Sequence, residues 1–159
     1  MSLLNTKVLP FKTEAFVNGR FVTVTEESLK GHWSVIFFYP ADFTFVCPTE
    51  LEDLAEHYEE FTKLGVEIYA ISCDTHFTHM AWHESSPAVG QVQFPMFGDS
   101  TQAIARNLDV SIEADGMAAR GTFVTTPEVQ IAILEPHDGG IGRDAKQLPS
   151  PVPAAHSFS

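Results

Sequence analysis

The chain has 159 residues, of which 44% are hydrophobic, and this is enough for one domain with a buried core. A formal net charge of −12 argues against nucleic acid as a partner, because the phosphates would be repelled. No apolar run reaches the ~18 residues of a membrane span, the first residues resemble no secretory leader, and the two cysteines are far apart. We therefore expect a cytoplasmic protein with no membrane span and no disulfide framework.

The first predicted element is a β-hairpin over residues 15–24. Two apolar and β-branched runs flank Asn18 and Gly19, and this pair is the preferred centre of a type I′ turn. A short polar connection over residues 26–31 then leads into the next strand.

The next three elements form the unit that the rest of the chain surrounds. A continuous aromatic and β-branched run over residues 33–39 predicts a strand buried on both faces, and Pro40 ends it. Apolar residues then recur at three- and four-residue steps over 51–61, which predicts an amphipathic helix. Gly65 ends that helix, and the alternating segment 66–71 predicts a second strand. A strand, a helix and a strand in this order form a right-handed crossover with parallel strands.

The remaining predicted elements are a helix over 76–84, a short strand and turn over 94–99, a helix capped by Asp99 and Ser100, a loop over 116–120 and a hairpin of strands 121–125 and 129–134. Beyond Leu148, three prolines at alternate positions exclude a helix. We therefore expect a folded domain of residues 1–148 and a disordered, proline-rich tail of residues 149–159.

Cys47 lies where the first parallel strand gives way to the helix, just before Pro48, a residue favoured at first helical positions. Catalytic groups of open α/β sheets lie at this carboxyl edge, and a helix N-terminus favours a thiolate. Cys47 is therefore a candidate nucleophile, although free cysteines are also common in cores. Glu50 stands where a Cys-x-x-Cys motif has its second cysteine, so exchange within the motif is excluded. A lone thiolate suits acyl transfer, group transfer or attack on a peroxide.

Three further residues fit attack on a peroxide. The thiolate strikes one oxygen while charge develops on the other, so donors must hold the peroxide in line. Thr44 can turn its hydroxyl toward the sulfur, and Pro40 can shape the same loop and exclude water. If the strand 121–125 runs antiparallel to the parallel pair, Arg120 lies beside Cys47 and its guanidinium stabilises the thiolate. The alternative for Arg120 is a surface ion pair.

These residues carry a resemblance to a known family. The segment 38–50, with its Pro-x-x-x-Thr-x-x-Cys core, resembles the peroxidatic loop of peroxiredoxins of the bacterial alkyl hydroperoxide reductase (AhpC) type. Segments 74–83 and 140–145 are similar to two further parts of this family, and the resemblance extends over residues 3–148. It implies a thioredoxin-like α/β fold, in which helices flank a central mixed sheet with an N-terminal β-hairpin.

The resemblance also implies an activity. Cys47 would be oxidised by hydrogen peroxide or an alkyl hydroperoxide to a sulfenic acid, which an external thiol or a partner protein then reduces. Pro40, Thr44 and Arg120 match the other catalytic positions, whereas Glu50 and Arg143 match a supporting polar network. Trp82 is expected to pack near the edge of the site rather than to bind a cofactor.

The resemblance also implies that copies of the chain associate with one another. Members of the family form homodimers that assemble into rings, and residues 42–43 and 77–78 correspond to ring contacts. No cofactor is expected, and the absence of a Gly-rich phosphate loop in the sequence makes nucleotide use an unsupported hypothesis.

The C-terminal part departs from the family pattern. The chain lacks the family's resolving cysteine after Leu148, and residues 126–129 lack the usual Asp-Pro-x-Gly turn. We therefore expect an altered or truncated C-terminus that cannot form the disulfide by which the family links two protomers. One alternative is then a catalytically impaired oligomer with a holdase-like or structural role. Cys73 could replace the resolving cysteine only if its Cα comes within ~7 Å of that of Cys47; otherwise it is a buried structural thiol.

A second constellation suggests a metal-binding module as a further alternative. Three histidines stand at steps of three and four on one predicted helical face, after a cysteine: Cys73, His76, His79 and His83. The spacing is not that of an H-E-x-x-H motif, and the resembling family carries these histidines without a metal. No metal site is therefore expected.

Overall fold

A mixed sheet of seven strands forms the centre of the computed structural model, which describes residues 3–44 and 47–136, with the backbone alone at Cys47 and at 134–136. The strands of the described residues are β1 (Lys12–Val17), β2 (Arg20–Thr25), β3 (Trp33–Phe38), β4 (Val66–Ser72), β5 (Met96–Gly98), β6 (Ser111–Ile112), β7 (Met117–Ala118), β8 (Gly121–Thr125) and β9 (Ile131–Pro136). All of them except β6 and β7 belong to the large sheet. The helices are α1 (Cys47–Glu56), α2 (Tyr58–Lys63), α3 (His76–Ser85) and α4 (Ala103–Asn107). Short 3₁₀ segments lie at Glu26–Leu29 and Val89–Gln91.

The order of the strands in the large sheet is β2-β1-β5-β4-β3-β8-β9, and β6 pairs with β7 alone. β3 runs parallel to β4, and β4 to β5, whereas β8 runs antiparallel to β3. The predicted crossover from β3 to β4 and the mixed sheet are therefore confirmed. The N-terminal hairpin of β1 and β2 is also confirmed, since Asn18 and Gly19 have the positive φ angles of 48° and 79° that a type I′ turn needs.

The helix predicted over residues 51–61 is interrupted at His57, which separates α1 from α2. Nδ1 of His57 lies 2.9 Å from the carbonyl oxygen of Asp53, and the His57 amide donates instead to Leu54 at 3.2 Å. The ring thus takes the carbonyl that a regular helix would offer to the His57 amide. Side-chain competition of this kind explains why apolar periodicity alone did not predict the break.

Four short elements of the described chain were not predicted, namely β6, β7 and the two 3₁₀ segments. Residues 116–120, which we expected to form a loop, include β7, and Met117 pairs there with Ile112 of β6. The polar connection after β2 contains a 3₁₀ turn, in which the Thr25 hydroxyl accepts from the Glu27 amide at 3.2 Å. Such short elements lack the apolar periodicity by which strands and helices are detected.

Two apolar clusters pack on opposite faces of the sheet. β3 contributes to both, since Val35 and Phe37 belong to one cluster and Ile36 and Phe38 to the other. The first cluster includes side chains of α1, α2 and α3, namely Leu51, Leu54, Phe61 and Trp82. The second includes side chains of α4 and of the N-terminal segment, among them Ile104 and Val8. Burial of β3 on both faces confirms the interpretation of its continuous apolar run.

The carboxyl ends of β3 and β4 meet the start of β8 at one edge of the sheet. Phe38, the last residue of β3, pairs with Ile71 in β4 and with Gly121 in β8. Arg120 precedes Gly121, so it lies at this edge, as the predicted antiparallel strand required.

None of the helices in the described part of the chain is both long and apolar enough to span a membrane. The predicted tail of residues 149–159 lies outside the described residues, and so does Arg143. The predicted boundary near Leu148 therefore stays a prediction.

Candidate active site

Cys47 is the first residue of α1, a helix of 10 residues. The unpaired N–H groups and the dipole of a helix N-terminus create a positive potential at this position. Such a potential favours a thiolate over a thiol. The backbone therefore places the candidate nucleophile where the sequence predicted it.

An ion pair joins the start of β8 to the first turn of α1. Nε of Arg120 donates to Oε1 of Glu50 at 2.9 Å, and the two side chains are 10% and 0% exposed. The pair is therefore nearly buried, and the alternative of a surface ion pair is wrong. Because Glu50 stands three positions after Cys47, this bond holds the guanidinium next to the helix start. Its positive charge offsets the Glu50 carboxylate, which by itself would oppose ionisation of a thiol.

The loop between β3 and α1 carries Pro40 and Thr44. Pro40 is half-buried and Thr44 is exposed. The Thr44 hydroxyl donates to the carbonyl oxygen of Ala41 at 3.1 Å, which closes a short turn. Phe43, inside this turn, has a φ of 60°, a conformation that residues other than glycine rarely adopt. The turn thus has a specific and locally strained shape.

A buried hydrogen-bond network, which the sequence did not predict, lies beneath this loop. Asp42 accepts from the Tyr39 hydroxyl at 2.6 Å, and its second carboxylate oxygen lies 2.6 Å from Nδ1 of His79. The Asp42 amide donates to Asp74 at 2.8 Å, and the Ser72 hydroxyl donates to the same Asp74 oxygen at 2.7 Å. Asp42 and His79 appeared in the sequence analysis only as a ring contact and as a possible metal ligand.

Burial and mutual contact perturb both groups of the Asp42–His79 pair. Burial raises the pKa of Asp42, although the hydrogen bond from His79 opposes this shift. Burial lowers the pKa of His79, but the hydrogen bond and the charge of Asp42 outweigh it, so that this pKa is raised. Burial also raises the pKa of the Tyr39 phenol well above its ordinary value, with the negative charge of Asp42 as a further cause.

Trp82 is buried beside this network, at the edge where the sequence analysis placed it. Its ring centroid lies 6.0 Å from that of Tyr39 and 6.0 Å from that of Phe43. Phe43 is itself 57% exposed, so the indole supports an aromatic side chain that projects from the loop. Trp82 therefore packs under the residues that precede Cys47.

The described residues give no support to the metal-binding alternative. Among them, no group of three or more His, Cys, Asp or Glu side chains is arranged to hold a metal ion. His79 has both ring nitrogens engaged, one with Asp42 and the other, at 2.8 Å, with the carbonyl oxygen of Phe97. Nε2 of His83 donates to the carbonyl oxygen of Val92 at 3.0 Å. The histidines thus serve separate bonds within the fold.

Cys73 is a partly buried thiol whose surroundings fit a structural role. It packs against the second apolar cluster, whereas α1 packs in the first, on the other face of the sheet. Burial, followed by the negative charges of Asp99 and Asp74, raises the pKa of the Cys73 thiol to about 12. A thiol of this kind stays protonated near neutral pH and is a poor nucleophile.

Comparison with known proteins identifies the family to which this chain is similar. The profile of the AhpC/TSA family matches residues 4–133. Alkyl hydroperoxide reductase C of Escherichia coli strain K12 is 56% identical over 155 residues, which are 98% of this chain and 83% of the relative. The protein of the same name from Bacillus subtilis is 54% identical over 155 residues, which are again 98% of this chain and 83% of the relative.

A solved structure gives the same result. The crystal structure of Enterococcus faecalis AhpC matches with a TM-score of 0.96 and 42% identity, over 98% of this chain and 93% of that one. The similarity therefore covers the whole described fold and confirms the thioredoxin-like architecture and the resemblance to peroxiredoxins of the AhpC type. The chain belongs to the AhpC/TSA family of peroxiredoxins.

Proposed function

We propose that this chain is a thiol-dependent peroxidase and that Cys47 is its nucleophile. The Cys47 thiolate attacks one oxygen of hydrogen peroxide or an alkyl hydroperoxide, and the O–O bond breaks as the S–O bond forms. The leaving oxygen takes a proton and departs as water or an alcohol. The sulfur is oxidised to a sulfenic acid, and the peroxide is reduced by the same two electrons.

The observation that carries this proposal is the nearly buried bond between Arg120 and Glu50 in the first turn of α1. It brings a permanent positive charge to the start of the helix, where the helix dipole already favours a thiolate. A guanidinium presents its N–H donors as a planar fork, which suits the charge that develops on a peroxide oxygen. Loss of one such donor typically slows a reaction by about 10²- to 10³-fold.

Thr44 and Pro40 complete the proposed site. The Thr44 hydroxyl is exposed on the loop that leads to Cys47, and its oxygen can accept a hydrogen bond while it donates one. We assign it the alignment of the peroxide with the sulfur. Pro40 limits the conformations of the loop and shields the thiolate from water. Glu50 and Arg143 are assigned to the polar network that holds the Arg120 guanidinium.

The sulfenic acid must then be reduced by a thiol from outside the site. A thiol attacks the sulfenic sulfur, water leaves, and a second thiol releases Cys47 from the mixed disulfide. Cys73 is a poor candidate for the first of these steps because burial raises its pKa. We therefore assign reduction to a small thiol or to a partner protein that carries a dithiol.

We also propose that the chain works in the cytoplasm as a homodimer or as a ring of dimers. Residues 42–43 and 77–78 correspond to the ring contacts of the family, and two of their aromatic side chains are open to association. Phe43 is 57% exposed and Phe77 is 60% exposed. Phe77 also packs edge-on against Phe21, itself 41% exposed, with centroids 5.3 Å apart. This exposed aromatic surface supports assembly through the loop side of the molecule.

Single-turnover oxidation tests the nucleophile. The wild type, Cys47→Ser and the matched control Cys73→Ser are each mixed with one equivalent of hydrogen peroxide and then with a sulfenic-acid trap, and labelled peptides are identified by mass spectrometry. We expect label on Cys47 in the wild type and in Cys73→Ser, and none in Cys47→Ser. Equal peroxide consumption by all three proteins would contradict the assignment.

Steady-state turnover separates the enzyme from the catalytically impaired oligomer. Peroxide consumption is followed with a monothiol, a dithiol and a thioredoxin-type protein as donors. Sustained turnover with at least one donor is expected. A protein that is oxidised once and then stops with every donor would support the impaired oligomer instead.

A further inference from the structure

His79 of α3 makes two hydrogen bonds, and the chemistry of the two partners determines where the protons lie. Nε2 lies 2.8 Å from the carbonyl oxygen of Phe97, which can only accept, so this nitrogen carries a proton. Nδ1 lies 2.6 Å from Oδ2 of Asp42, and both side chains are completely buried. Two acceptors would repel each other at this distance, so one proton lies between them.

The Asp42–His79 pair is therefore neutral as a unit and fully bonded. It is either an imidazolium with a carboxylate or an imidazole with a carboxylic acid, and both arrangements satisfy the same atoms. Oδ1 of Asp42 accepts from the Tyr39 hydroxyl at 2.6 Å in either case. Such a pair is tolerated in a core as a pair, whereas either partner alone would be a buried and unsatisfied group.

α3 also supports the residue next to Asp42. The Trp82 ring, one helical turn after His79, packs under Phe43 with centroids 6.0 Å apart. Phe43 has the left-handed φ of 60°, which persists only where the surroundings enforce it. The Asp42 amide is held in addition by Asp74, at 2.8 Å. The strained turn that ends at Thr44 is thus contacted both by α3 and by the loop that precedes α3.

We propose that Asp42 and His79 form a positioning pair, which fixes the turn of residues 41–44 so that the Thr44 hydroxyl aligns the peroxide with the sulfur. This inference rests on the function proposed for Cys47 and Thr44. The pair acts through the backbone of the loop. The start of α1 has a separate anchor, the bond between Arg120 and Glu50. Loss of the pair should therefore disturb alignment of the peroxide more than ionisation of Cys47.

Two amide substitutions at His79 test this separation. In His79→Asn, the amide nitrogen takes the place of Nδ1 and can donate to Asp42. In His79→Gln, the amide reaches the place of Nε2, keeps the bond to Phe97 and leaves Asp42 without its partner. His83→Gln is the matched control, because His83 lies on the same helix and bonds to Val92 instead.

Each variant is measured in three ways: the rate of single-turnover oxidation by hydrogen peroxide, the rate of Cys47 alkylation by iodoacetamide across pH, and the thermal unfolding midpoint. Alkylation needs only the thiolate, whereas peroxide reduction also needs alignment. We expect His79→Gln to slow oxidation by roughly 10- to 100-fold, as misplacement by about 1 Å does, while the alkylation profile stays at that of the wild type. His79→Asn should recover most of the oxidation rate, and His83→Gln should resemble the wild type.

Wild-type oxidation rates in both His79 variants would overturn the proposal. So would a parallel fall of oxidation, alkylation and unfolding midpoint in both, because a purely structural role predicts it. If His79→Gln does not fold, Asp42→Asn and Asp42→Ala replace the pair, since asparagine can still bond to Tyr39 and to neutral His79. Equal oxidation rates in these two would then overturn it. A wild type that peroxide does not oxidise at Cys47 would instead refute the proposed function.

Discussion

Nε of Arg120 lies 2.9 Å from Oε1 of Glu50, although 70 positions separate the two residues in the sequence. The contact exists because β8 runs antiparallel to β3, so that Gly121 pairs with Phe38 at the edge where α1 begins. The bond therefore couples the topology of the sheet to the electrostatics of the helix start. It has a structural and a catalytic consequence, and these can be separated by mutation.

Arg120→Met should slow oxidation of Cys47 by about 10²- to 10³-fold, because a cationic donor is lost. It should also lower the free energy of unfolding by about 3–5 kcal/mol, because the buried Glu50 carboxylate loses its ion pair with Arg120. Adding Glu50→Gln removes the buried negative charge. The double variant should regain much of the stability in a urea titration and none of the oxidation rate in stopped flow.

The ion pair between Arg106 and Glu113 provides the control. Its contact of 2.6 Å is short, but the side chains are 52% and 59% exposed. Arg106→Met should therefore change the free energy of unfolding little, because solvent screens an exposed ion pair, and it should leave the oxidation rate unchanged. Equal losses of stability at the two arginines would contradict the role of burial.

The Cys73 thiol should resist ionisation in the folded protein. Its folded pKa is about 12 because of burial, whereas that of an unfolded cysteine is about 8.5. The unfolded state thus loses this proton first as the pH rises, so the stabilising effect of the partly buried thiol is complete below about pH 8.5 and is lost toward about pH 12.

A Cys47→Ser background isolates this effect, since Cys73 is then the only thiol of the chain. Ultraviolet absorbance of the thiolate should stay absent through pH 9 in the folded protein and appear after denaturation. The stability of this variant should fall more steeply above about pH 8.5 than that of Cys47→Ser/Cys73→Ser. Ready reaction of folded Cys73 with a thiol reagent at neutral pH would contradict the expectation.

Gly98→Ala tests a close approach between β5 and the loop before α3. A Cβ at this position would lie 2.6 Å from the amide nitrogen of His76 and 3.0 Å from the carbonyl oxygen of Asp74. Backbone atoms would have to shift, at a cost of about 1–3 kcal/mol in the free energy of unfolding. Because Asp74 holds the Asp42 amide, we also expect slower oxidation by peroxide.

Gly19→Ala separates the two effects of Gly98→Ala. Gly19 has open space around it and a φ of 79°, so alanine there should cost about 1–2 kcal/mol through backbone conformation alone. It lies in the hairpin turn, away from the active-site loop, and should leave the oxidation rate unchanged. If both variants slowed oxidation equally, loss of stability rather than loop position would be the cause.

The elements that could be predicted are those with a local signal. The Asn18-Gly19 turn, the continuous run of β3 and the helix start at Pro48 each depend on a few neighbouring residues. Arg120 could be placed as well, because it follows from the strand directions once the sheet is mixed. These predictions therefore depend on short local segments and, for Arg120, on the topology of the sheet.

The contact between Asp42 and His79 could not be predicted in this way. It joins residues 37 positions apart, and nothing in either segment specifies which histidine of α3 faces the loop. The three histidines share one predicted face, which suggested a metal site, but tertiary packing gives each a different environment. The break at His57 likewise depends on a single competing hydrogen bond.

Phe77→Asp tests the proposed assembly surface. Phe77 is 60% exposed and forms an aromatic cluster with Phe21 and His76. A carboxylate there would be unfavourable in an apolar interface, because its burial without a partner is costly. Sedimentation velocity should show a shift from rings toward dimers.

Leu64→Asp is the control for this change, since Leu64 is also an exposed apolar residue, at 39%, but follows α2 away from the cluster. It should leave the sedimentation coefficient at that of the wild type. Phe43, in the loop before Cys47, is exposed and is assigned to the same proposed ring contacts as Phe77, so a ring would also restrain that loop. Phe77→Asp should then slow oxidation by peroxide only at protein concentrations at which the wild type is assembled. A slower rate at every concentration would indicate a local effect of Phe77 on the loop rather than an effect of assembly.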